Sequence, residues 1–154
     1  MRTALLSATA GLLIANAAAA QTHKEVEGCW NIRSLVIDKA GEKLEPYGPN
    51  PVGQLVLTSD GHFSNIQMRP DLGSTPVSLM PTGGPAVGTL IAYFGTYEVH
   101  GNKVTVKIDG SSRADWRDKT QNRTIESVSS GQLAWVDKPT PDLTARVNYV
   151  RCPG

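Results

Sequence analysis

An eight-stranded antiparallel up-and-down β-barrel is the fold this sequence predicts. Three observations carry the expectation. Apolar and polar residues alternate along much of the chain, tight glycine turns and longer links follow one another in strict succession, and two cysteines lie near opposite ends in matching surroundings.

The first twenty residues, MRTALLSATAGLLIANAAAA, stand apart from this pattern. One basic residue, an apolar run from Ala4 to Ile14 and small residues at Ala18 and Ala20 have the form of a secretory signal with an A-x-A cleavage site. The apolar run is too short to span a bilayer, so the expectation is an exported, periplasmic or secreted protein with no transmembrane segment after cleavage. The mature domain is then 21–154, about 134 residues, enough for one core in a monomer or homodimer. Without Arg2 it carries 14 basic and 14 acidic residues and has no basic stripe, which argues against nucleic acid as a partner. There is no C-x-x-C, and His23, His62 and His100 fall in the tail and at two turns, so no metal site and no cofactor is expected.

The strands follow from period-two alternation. In KVTVKID, Val104, Val106 and Ile108 share one face while Thr105 and Lys107 take the other. Similar runs cover about 28–37, 52–58, 61–69, 88–99, 103–109, 121–128, 131–137 and 143–152. TSDGH, VHGNK and VSSGQ each place glycine between two runs, where a tight hairpin needs positive φ. The other links, 38–51, 70–88, 110–120 and 137–143, are longer. In an up-and-down order successive links fall on alternate ends, so the tight turns gather at a closed base and the long loops ring an open mouth.

Closure of such a barrel pairs the first strand with the last. Residues facing each other across an antiparallel pair have a constant sum. Cys29 with Cys152 and Trp30 with Arg151 both give 181, so one register joins both couples. Neighbouring residues point to opposite faces, which puts a Cys29–Cys152 disulfide outside and Trp30 with Arg151 at the inner base. An exported chain with an even cysteine count fits that pairing.

Gly28, Trp30 and Arg151 resemble the Gly-x-Trp and last-strand arginine of the calycin barrels, which include the lipocalins. The blocks PYGPNPVGQLVLTSDGHFSNIQMRPD and AYFGTYEVHGNKVT resemble characteristic segments of the bacterial and fungal lipocalin-like domain family. The likeness runs over nearly the whole mature chain, with Tyr149 where that family commonly has tryptophan. It implies a calycin, lipocalin-like barrel and supplies no catalytic residue.

The phase set by Trp30 and the hairpins turns Ile32 and Ser34, Leu55 and Leu57, Tyr93 and Tyr97, and Val104, Val106 and Ile108 inward. On the last three strands it turns in Arg123 and Ile125, Leu133 and Trp135, and Val147 and Tyr149. Tyr93, Tyr97, Arg123, Trp135 and Tyr149 are therefore the candidate ligand-binding residues, in a barrel either open or filled by its own side chains. An inward Arg123 needs an acceptor, which Glu98, Glu126, a tyrosine or a ligand carbonyl or carboxylate can supply. Leu79 and Met80 suit an adaptable mouth rim. SSRADWRDK reads as a solvated charged loop, with Trp116 at the lip as the other reading.

Two functions fit. One is a protein that holds a small apolar or amphipathic molecule in the barrel; the other is a cofactor-independent isomerase or cyclase that uses a tyrosine or Arg123 to polarise a carbonyl. Hydrolysis is not expected, because no Ser-His-Asp set or close carboxylate pair is visible.

Overall fold

The computed structural model describes residues 23–72 and 90–154. After one helical turn, His23–Val26, the strands run in chain order: β1 Gly28–Lys39, β2 Glu42–Leu44, β3 Val52–Leu57, β4 His62–Met68, β5 Leu90–His100, β6 Lys103–Ser111, β7 Thr120–Val128, β8 Gln132–Thr140 and β9 Leu143–Arg151. All neighbouring pairings are antiparallel, and β1 also pairs with β9. Apart from the short β2, eight consecutive strands thus form a closed barrel.

Two of the three glycine turns take the expected backbone, and Gly131 in the β7–β8 hairpin does not adopt positive φ. Gly61 and Gly101 take positive φ in the β3–β4 and β5–β6 hairpins. On most strands the apolar half turns inward: Leu55, Leu57, Val104, Val106, Ile108, Ile125 and Leu133 are all buried.

The closing seam has the expected register. Trp30 faces Arg151, and Ile32 faces Tyr149. Cys29 and Cys152 are disulfide-bonded across a Cα–Cα distance of 5.3 Å and a sequence separation of 123. On the chain-entropy model a closed loop of that length stabilises the fold by about 4–5 kcal/mol. The Arg151 guanidinium lies 3.8 Å from the centre of the fully buried Trp30 ring, a cation–π contact worth roughly 0.5–2 kcal/mol. Arg151 also donates to the carbonyls of Glu27 and, at 3.1 Å, Ser130. The Trp30 indole donates to the Val26 carbonyl at 2.8 Å, which fastens the N-terminal turn under the base. Gly28 is required here: its φ is +122° and an added Cβ would stand 2.2 Å from Arg151 Nη1.

Three details depart from the sequence expectations. A bulge between Ile32 and Ser34 shifts the β1–β9 register, so the inward phase passes to Leu35 and Ile37. Ser34, expected inside, instead accepts a hydrogen bond from Asn148 at 2.9 Å. The link expected over 38–51 contains β2, which pairs with Ile37–Lys39, while the contact of β3 with β1 is confined to Gly28–Asn31. The last link is also tighter than expected, because β8 and β9 extend until only Pro141 and Asp142 separate them.

Candidate functional site

A cavity of about 800 Å³ occupies the open end of the barrel. Its apolar walls include Leu35, Ile37, Ile91 and Val147, supplied by β1, β5 and β9. Pro46 and Tyr47 from the β2–β3 link and Arg113 and Trp116 from the β6–β7 link also reach it, beside Lys138 and Pro139 near the end of β8. Those links therefore meet at one end, as an up-and-down order demands.

One ion pair stands on the cavity wall. Thr124 faces Val136 across the β7–β8 ladder, so Arg123 and Asp137 come next on the facing strands. Arg123 Nη1 lies 3.0 Å from Asp137 Oδ2, with 5% of the arginine side chain exposed and 22% of the aspartate. Gln121, two residues back on β7, accepts a hydrogen bond from Arg123 Nη2, and the Asn122 carbonyl accepts from Nη1 at 3.4 Å. Burial pushes the Asp137 carboxyl above the usual carboxylate range, and the neighbouring Arg123 only partly opposes it.

Below the pair lies a hydrogen-bonded cluster of amides and phenols. Asn65 donates to Tyr93 at 2.9 Å and to Tyr149 at 3.2 Å, and Gln67 donates to Tyr149 at 2.9 Å. Burial raises the Tyr149 hydroxyl well above its ordinary pKa, against the pull of both amides, so it stays protonated. Asn65 and Gln67 point inward because β4 alternates Phe63, Asn65, Gln67 inside with Ser64 and Ile66 outside. Gln67 and Tyr93 line the cavity.

The lip is aromatic. A 3-10 turn, Ala114–Trp116, carries Trp116 edge-on against Tyr93 with ring centres 5.2 Å apart. Arg113 lies 4.9 Å from the centre of the Trp116 ring and pairs with Asp115 at 2.6 Å. Tyr47 also lines the cavity, its hydroxyl pushed up to about 12 by burial and by Tyr93, with Arg113 opposing. Among the described residues no group of three or more His, Cys, Asp or Glu side chains gathers to hold a metal.

A family model described as the lipocalin-like domain matches residues 27–149. The chain belongs to the lipocalin-like domain family. A solved structure of a lipocalin-like protein from Bacteroides uniformis is similar over 83% of this chain and 99% of that one, at 14% identity and a TM-score of 0.49. Among curated proteins none matches the chain.

The lipocalin-like barrel brings three of the five expected residues to the cavity wall: Tyr93, Arg123 and Trp135. Tyr149 lies beneath it, packed edge-on against Trp135 at 5.4 Å. Tyr97 sits at the closed end, stacked on His23 at 4.4 Å and donating to the Thr58 carbonyl at 2.9 Å. The partner of Arg123 is Asp137, not Glu98 or Glu126. Glu126 is bound to Arg146 at 2.6 Å, and Glu98 is 3.2 Å from His100. Trp116 is packed against the core, not held out in a solvated loop. Leu79 and Met80 lie outside the described residues.

Asp137, Gln67 and Tyr47 were not foreseen. Asp137 had a signal, since the alternation that turns Leu133 and Trp135 inward carries on to it. Gln67 had the same signal from Phe63. Tyr47 lies in a link between strands and has no period to betray it.

Proposed function

We propose that the protein is an exported binding protein that holds one small apolar or amphipathic molecule in the open end of its barrel. The cavity carries this reading: about 800 Å³ with apolar and aromatic walls and one ion pair fixed on its inner side. Apolar walls supply affinity by burial, and a few placed polar groups orient the occupant. Export is supported by the signal-like first twenty residues and by the Cys29–Cys152 disulfide, which persists in oxidising compartments. No helix among the described residues is long and apolar enough to cross a membrane.

The neutral apolar dye N-phenyl-1-naphthylamine tests the reading. Its fluorescence should rise saturably with one site per chain, with quenching of the tryptophans at the wall, and Val147→Trp should weaken binding by narrowing the space. Absence of saturable binding to the wild-type protein overturns the proposal. Mass spectrometry of small molecules carried through purification then identifies the natural occupant.

A further inference from the structure

The polar group that would greet a ligand in this cavity is a pair with no net charge. A guanidinium has five N–H donors. Three acceptors meet that of Arg123: Asp137 Oδ2, Gln121 Oε1 and the Asn122 carbonyl. Two donors remain. Asp137, a carboxylate with lone pairs beyond the one facing Arg123, stands beside them on the cavity wall. The wall thus presents hydrogen-bond donors next to an acceptor, a few ångströms apart.

Each class of occupant meets this pair differently. A hydrocarbon strips water from both groups and returns nothing, which buried polar groups tolerate poorly. An ester or ketone satisfies the Arg123 donors and leaves the remaining lone pairs of Asp137 unmet. A carboxylate reaching Arg123 comes within a few ångströms of the Asp137 carboxylate, and like charges at that range repel strongly away from bulk water. The other cations near the mouth do not offset this: Arg113 is held by Asp115, and Lys138 is exposed to solvent. An uncharged group with an N–H or O–H beside a C=O satisfies both partners. The nearby side chains share that character. Gln67, whose amide nitrogen is committed to Tyr149, keeps its carbonyl end, and Tyr47 is a neutral hydroxyl.

We propose that the polar end of the occupant is an uncharged donor–acceptor group, a carboxamide, a lactam or an equivalent, read jointly by Arg123 and Asp137. The inference rests on the cavity reading above and narrows it to a ligand class.

Four probes sharing one apolar body test it: naphthalene, methyl 2-naphthoate, 2-naphthoate and 2-naphthamide, titrated by tryptophan quenching at neutral pH. The amide should bind at least about tenfold more tightly than the ester, the difference of one well-placed hydrogen bond, and more tightly than the anion. In Asp137→Asn the order of amide and anion should invert, because Arg123 then faces the cavity uncancelled. Naphthalene binding in that variant reports whether the cavity is intact. Equal binding of amide and ester, a wild-type preference for naphthoate, or an unchanged order in an Asp137→Asn protein that still binds naphthalene overturns the inference and leaves the cavity reading standing. Failure of all four probes, naphthalene included, overturns the cavity reading and this inference with it.

Discussion

At the closed end of the barrel Arg151 lies over the buried Trp30, and near the open end Arg123 lies beside a cavity. Arg151 is held by an aromatic face and by the carbonyls of Glu27 and Ser130. Backbone acceptors neither titrate nor rotate, so the group is locked. Arg123 is held chiefly by the Asp137 carboxylate and the Gln121 amide, side chains that can change charge or turn. The same residue type thus closes the fold at one end and leaves unused hydrogen-bonding capacity at the other. What separates the two is the kind of acceptor.

The comparison is tested first by stability. Trp30→Ala removes a fully buried indole and should cost about 3–5 kcal/mol in urea unfolding. A loss below about 1 kcal/mol would show that the closed end is not the rigid one. Arg123→Leu should cost less, about 1–3 kcal/mol, because the aspartate it abandons borders a cavity and can take up a proton instead of staying charged. Adding Asp137→Leu should recover part of that loss. If Arg123→Leu alone destabilises as much as Trp30→Ala, both arginines are structural and the contrast fails.

The two regions also differed in how far they could be read from sequence. At the closed end, the constant sum of 181 fixed the seam, the disulfide and the Trp30–Arg151 contact together, because no irregularity intervenes between residue 28 and the bulge after Ile32. The open end lies beyond bulges on both walls. The one after Ile32 reversed the phase of β1, replacing Ser34 with Leu35 and Ile37, and another between Ile125 and Ser127 sets which β8 residue faces Arg123. A bulge leaves little trace in composition, so phase carried through it is lost. On β4 the obstacle was different: Asn65 and Gln67 face in while Ile66 is 42% exposed. Alternation there runs against hydrophobicity, since the interior is built for hydrogen bonds as well as for packing.

The smallest effect gives the sharpest contrast, and it compares two Arg–carboxylate pairs on opposite faces of the wall. Asp137 with Arg123 lies inside; Glu126 with Arg146 lies outside, joined by two hydrogen bonds of 2.6 and 2.8 Å. Hydrogen bonding to Arg146 in solvent holds the Glu126 carboxyl below its ordinary value of 4.5. Inside, burial outweighs the arginine and holds Asp137 above its ordinary 3.8. Carboxyl 13C NMR titration should therefore find the two displaced in opposite directions. Arg146→Leu should bring Glu126 back up toward its ordinary value, whereas Arg123→Leu should drive Asp137 further from its own by removing the influence that lowers it. The effect on stability follows the same signs. Between pH 3.8 and its raised folded value, Asp137 binds more protons in the folded than in the unfolded chain, so its contribution to stability falls as pH rises through that window. Glu126, with its folded value depressed, contributes stability at higher pH that is lost as pH falls from its ordinary 4.5 through the folded value. An Asp137 that titrates at or below 3.8 would mean that Arg123, the backbone or water already satisfies the carboxylate against burial, and a satisfied pair has little unmet hydrogen bonding to offer a ligand.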